Sequence, residues 1–144
     1  MAEQVIDASV AVKWVVEGEP FRNKARRLLH DARLKGIMLI GPPLLEYEVE
    51  SAFQRRLYSG RATIAAVEAS LAAFYAVGVR IVVHPDMVCR AREIARQFNQ
   101  EHIYDSLYAA LAEFRKCEFW TADKAFYEAV KPELSFIKCL PDYP

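Results

Sequence analysis

The chain has 144 residues and sets 19 Lys and Arg against 19 Asp and Glu, so its formal net charge is zero. That balance excludes a global positive field for holding nucleic acid, and leaves such binding to local patches and bound cations. No apolar run reaches the roughly 18 residues of a membrane span, and the start, MAEQVIDAS, lacks the basic and apolar regions of a signal peptide. The expectation is a cytoplasmic protein forming one domain over residues 1–144, long enough to bury a core. Cys89, Cys117 and Cys139 are widely spaced. They make neither a disulfide framework nor a zinc pattern and are expected as small buried hydrophobes.

In chain order, EQVID at 3–7 reads as a short buried strand ending at Asp7, and ASVAVKWVV at 8–16 as a short buried helix. The Gly18 and Pro20 punctuation breaks it. Ala25, Leu28, Leu29 and Ala32 recur at helical spacing between basic residues, predicting an amphipathic helix from Phe21 to Lys35 stopped by Gly36. IMLI at 37–40 is short and wholly apolar, as a central strand is. Pro42 and Pro43 open the next helix, which runs to about Tyr58. A third helix spans Thr63 to Val77 with Thr63 as its N-cap. VRIVV at 79–83 is a strand by its β-branched content, and a helix follows from Pro85 or Asp86 to Phe98. The end of the chain reads as a helix over 104–115, a strand over Glu118–Thr121, a short helix over Lys124–Val130 and a strand over Ser135–Cys139. Strands alternating with helices predict an α/β fold: a three-layer α/β/α sandwich around a mostly parallel sheet.

This topology gathers carboxylates. Parallel strands send their carboxyl ends to one edge, so Asp7 and Asp123 lie on the same side of the molecule. Asp105, in the first turn of its helix, can join them in the crevice where open α/β sheets bind ligands. The helix after the second strand offers Glu46, Glu48 and Glu50. Leu45, Val49, Ala52 and Phe53 define its buried face. Glu48 flanks that face, Glu46 borders the opposite flank and Glu50 lies away from it. Glu48 is the inward acid on this reading. Taken singly, Asp105 and Asp123 have a plain account as helix caps or dipole partners. Four acids together could not all ionise cheaply, whereas hard cations such as Mg²⁺ or Mn²⁺ accept oxygen ligands.

Four segments, VIDASVAVKW at 5–14, PPLLEYEVESAF at 42–53, YDSLYAALAE at 104–113 and FWTADKAF at 119–126, occur in the order seen in PIN domains. The chain resembles that family, and within it the VapC-type toxins of toxin–antitoxin pairs. The resemblance implies a metal-dependent endoribonuclease whose Asp7, Glu48, Asp105 and Asp123 hold Mg²⁺ or Mn²⁺. It also implies RNA as substrate, a homodimer and an antitoxin protein that covers the acidic site. Ser9 and Thr121 match polar positions that support such sites. Ser51 departs from the family, where an asparagine is usual.

Arg55, Arg56 and Arg61 on one helix end, and Arg90, Arg92 and Arg96 on another helix, are candidates for holding phosphates. His30 and His84 read as solvated, and His102 is the one histidine close to an acid. Phe53, Tyr58, Phe74 and Tyr75 are either core or interface residues. Two other functions compete. One is a PIN-like binding module without activity. The other is an Asp-dependent phosphatase or phospho-acceptor domain, which would place a second aspartate where Ser9 stands or a lysine after the last strand.

Overall fold

The computed structural model describes residues 1–144. Its elements are β1 (Glu3–Ile6), α1 (Ala8–Val15), α2 (Arg22–Lys35), β2 (Met38–Gly41), α3 (Leu44–Tyr58), α4 (Ile64–Val77), β3 (Arg80–Ile81), α5 (Met87–Gln97), α6 (Tyr104–Arg115), β4 (Glu118–Thr121), α7 (Lys124–Val130) and β5 (Ile137–Cys139), with a final 3-10 turn at Leu140–Asp142. The five strands form one sheet in the order β3-β2-β1-β4-β5, and every pairing is parallel. Helices on both faces complete a three-layer α/β/α sandwich.

The inner stretches of the central strands are apolar because both faces are covered there: Val5, Ile6, Leu39, Ile40 and Phe119 are all buried, while Glu3 and Glu118 stand at the strand starts. Local chemistry sets the boundaries. Gly36 takes φ 67°, and its N–H bonds back to the carbonyls of Ala32 and Arg33 to end α2. Thr63 caps α4 by accepting from the Ala66 N–H. At Gly41 a Cβ would stand 2.7 Å from Leu45 Cδ2, so the bare backbone lets α3 start directly above the end of β2. That close approach brings the first turns of α3 over the sheet edge.

Several expectations change. The strand expected over 79–83 shrinks to Arg80–Ile81. It is an edge strand registered with β2 at only Ile40 and Gly41, and Val83 beyond it is exposed. The last strand likewise begins at Ile137. Of the cysteines, Cys139 is buried, Cys117 half-buried and Cys89 exposed, because Cys89 falls on the outer face of α5. His84 is not simply solvated: its ring stacks on Phe114 with centroids 3.9 Å apart. Phe53 and Phe74 belong to the core, whereas Tyr58 and Tyr75 are exposed.

Candidate active site

The chain runs from β1 to β2 on one side, and β4 joins β1 from the other. A crevice therefore opens at the carboxyl end of β1, where the strand order diverges. Ile6 is registered with Trp120, so Asp7 and Thr121 leave their strands side by side. The Thr121 hydroxyl donates to Asp7 Oδ2 at 2.5 Å. Ser9 Oγ donates to Oδ1 at 2.5 Å, and the Val10 N–H adds a bond of 3.2 Å to that oxygen. Both hydroxyls also accept from the β4 exit, Ser9 from the Ala122 N–H at 2.9 Å and Thr121 from the Asp123 N–H at 3.0 Å. The two segments are thus locked together through Asp7.

Four more acids line the same space, among them Glu19 from the turn between α1 and α2. Asp123 follows β4 and caps α7 by accepting from the Phe126 N–H at 3.0 Å. Asp105 lies in the first turn of α6 without being its cap. Glu48 comes from α3, where its Oε1 accepts from the Tyr108 hydroxyl at 2.5 Å. Asp7, Glu48, Asp105 and Asp123 all line one cavity of about 600 Å³. Glu46 does not line it, and Glu50 turns outward to Tyr75, whose hydroxyl donates to it at 3.2 Å.

Crowding and burial shape the electrostatics. Loss of water pushes the Asp7 carboxyl up to about 6, against the lowering pull of its Ser9, Thr121 and Val10 donors. Asp105 is pushed upward too, first by burial and then by repulsion from Asp123, Asp7 and Glu48. The Tyr108 phenol is held far above its ordinary value by burial and by the Glu48 carboxylate, so it stays a donor. Asp7 and Asp105 are thus held back from ionising, and a hard divalent cation is the partner the cavity's carboxylate oxygens suit. No three of them stand close enough together to form a ready-made metal site. The donor chemistry fits such an ion, with the side chains still to be drawn together. Asp7 is a poor phospho-acceptor, since it is buried and both of its oxygens are already engaged.

The PIN domain family profile matches residues 5–132. The chain belongs to the PIN domain family. PIN domains generally act as metal-dependent nucleases and typically bind RNA. The crystal structure of PAE2754 from Pyrobaculum aerophilum is similar to this PIN domain with a TM-score of 0.70, over 97% of this chain and 92% of that one. The two are 18% identical, so the likeness shows the fold alone. No match was found among curated proteins. No helix of this PIN domain is long and apolar enough to cross a membrane.

The candidate phosphate-binding arginines separate. Arg55 lines the acidic cavity, together with Ser51, the residue at the usual asparagine position. Arg56 and Arg61 line a second cavity between the end of α3 and the start of α4. Arg90 is engaged, with Nε 2.6 Å and Nη2 3.0 Å from the two Glu113 oxygens. Arg92 and Arg96 are exposed on α5, away from the cavity lining. His102 is exposed and 3.8 Å from Glu101, outside that lining. Three residues of the site escaped the sequence reading: Lys13 and Glu19, which line the cavity, and Tyr108, which bonds Glu48. Tyr108 lies three residues after Asp105 and Lys13 four after Ser9, and helical spacing from those residues was the signal available for both.

Proposed function

We propose that the chain is a divalent-metal-dependent endoribonuclease that hydrolyses RNA phosphodiester bonds. The observation that carries this reading is the convergence of Asp7, Glu48, Asp105 and Asp123, from four separate segments, on one cavity. In this reading those four residues hold Mg²⁺ or Mn²⁺. The chemistry such an ion supplies when bound is activation of a water and neutralisation of charge at the phosphodiester and its leaving 3′ oxygen. The rest falls to the chain itself. Ser9 and Thr121 fix the rotamer of Asp7, and Tyr108 fixes that of Glu48. Arg55 meets the RNA backbone at the cavity rim. One carboxylate orients the attacking water and takes its proton, a role suited to a group whose proton affinity is raised.

We further propose that it is a VapC-type toxin acting in the cytoplasm, a homodimer restrained by an antitoxin that covers the acidic cavity. The order of the four motif segments supports this, and the exposed Tyr58 and Tyr75 supply apolar contact area. A binding module without activity is the second reading, favoured by the absence of three acids at metal-binding spacing.

The test is cleavage of a structured RNA by the purified protein with Mn²⁺ or Mg²⁺, with EDTA, and by Asp105→Asn. Cutting that needs the metal and disappears in the variant is expected. Cutting that survives EDTA would sink the metal reading. No cutting of several RNAs, with Mn²⁺ still bound in calorimetry, would favour the binding module.

A further inference from the structure

We infer that Lys13 is the nuclease site's own phosphate-binding cation, gripping a non-bridging oxygen of the RNA strand that lies in the acidic cavity. The inference rests on the nuclease reading and adds to it a substrate contact. Ala8, Ser9, Val12 and Lys13 all line the cavity. Their spacing is that of one helix face, so α1 runs along the wall with Asp7 capping its start. Lys13 stands about 9 Å of helix rise beyond Asp7.

Its surroundings are unusual for a lysine. Lys13 is only 9% exposed, in a residue class that almost never buries without a partner. Yet it takes part in none of the chain's ion pairs, which involve Arg90, His102, Arg115 and Lys131. Its ammonium is also not among the buried polar atoms cut off from solvent. The stem is therefore packed in the protein while the head reaches the open cavity, as amphipathic side chains do.

A cation placed there to neutralise the carboxylates would sit against one of them, and this one does not. If the four acids are spent on a metal ion, the one carboxylate left in the lining is Glu19, which forms no ion pair with Lys13, and the anion that enters with the substrate is the partner open to the ammonium. A compact ammonium suits that task as a point charge on phosphate. Arg55, exposed on the facing helix α3, lines the same cavity. The strand would then pass between two cations and over the acids.

The experiment measures binding of a short single-stranded RNA by fluorescence anisotropy, in Ca²⁺, across a range of KCl concentrations. It compares the full chain with Lys13→Met, which keeps the apolar stem, Lys13→Gln as a second neutral variant, and Lys13→Arg. Mn²⁺ calorimetry and thermal melting are run on each. The expected result is weaker RNA binding in both neutral variants, with the log–log salt slope reduced by about 0.7. Mn²⁺ affinity is unchanged in them, and Lys13→Arg restores the slope. A folded neutral variant that binds RNA with the parent slope overturns the inference, even if the parent cleaves RNA in a metal-dependent way. An intact chain that neither binds nor cleaves RNA overturns the nuclease reading and this inference with it. Reduced RNA binding that tracks a loss of Mn²⁺ affinity also overturns it, because Lys13 would then be shaping the acid cluster.

Discussion

Thr121 donates its hydroxyl proton to Asp7 Oδ2 at 2.5 Å, joining the exits of two adjacent parallel strands. Its own oxygen accepts the Asp123 N–H, so one threonine positions two of the four acids. The hydroxyl favours the ionised form of Asp7, which burial disfavours. Thr121→Val keeps the shape and removes the donor. It is expected to cost about 1–3 kcal/mol, with the larger loss at pH 8, where Asp7 is ionised, than at pH 5. Urea unfolding at both pH values measures it. Equal losses would mean that the bond serves packing and not the charge.

The acid cluster sets a pH dependence of stability in EDTA. Asp7 moves from the ordinary 3.8 to about 6 on folding, and Asp105 also moves upward. The folded state therefore binds more protons than the unfolded one between those values, and stability falls as pH rises through them. Both contributions are fully present below about pH 4; that of Asp7, on the order of 3 kcal/mol, is lost by about pH 7, and that of Asp105 as pH rises through about 8. Opposing carboxylates such as Glu3, held low by Arg115, lose their stabilisation at the acid end. The melting temperature should therefore be higher at pH 5 than at pH 8. Mn²⁺ should raise it more at pH 8, because metal and protons compete for the same oxygens. A melting temperature that climbs from pH 5 to pH 8 in EDTA would contradict the electrostatic account.

Tyr108 is fully buried and stacks with Phe119 at 5.6 Å between centroids, yet its hydroxyl reaches Glu48. Tyr108→Phe leaves the stack and frees Glu48 to rotate. The expected cost in stability is about 1 kcal/mol, while Mn²⁺ affinity falls roughly tenfold, as when a group that orients a ligand is removed. Calorimetry separates the two effects. If Mn²⁺ binding is unchanged, Glu48 either holds no ion or needs no help in holding it.

The sequence carried the architecture well because its helices and strands alternate and the inner parts of its central strands are apolar on both faces. It overran β3, where β-branched content at 79–83 could not reveal that an edge strand has one neighbour and few pairing positions. The edge location of Asp7 and Asp123 followed from parallel topology, and the helix face of α3 separated Glu48 from Glu50. The partners of the acids were harder to read. That Thr121 bonds Asp7, and that Ser9 accepts from the Ala122 N–H, depends on the β1–β4 register, which joins residues more than a hundred positions apart. Tyr108 reads as one more apolar residue of α6 until α3 is placed above it. Lys13 looks like the polar edge of a short helix until its burial is seen.

Charge counting on helices α3 and α5 treated Arg55 and Arg90 alike, and their surroundings do not. Arg90 binds both Glu113 oxygens and lies 3.1 Å from Glu93, so it fastens α5 to α6. Its head has no free donors aimed at a ligand comparable to those of an unpaired arginine. Arg55 lines the acidic cavity and enters none of the ion pairs. Arg90→Ala should therefore lower stability by about 1 kcal/mol, a value limited by its partial exposure, and leave RNA affinity within twofold or so of the parent. Arg55→Ala should leave the melting temperature within a degree or so and lower RNA affinity at all sequences alike, with the salt slope down by about 0.7. Anisotropy titrations at several salt concentrations, beside thermal melts, test the pair together. An Arg90→Ala protein that loses RNA binding while keeping its stability would move the RNA path off the cavity and onto α5.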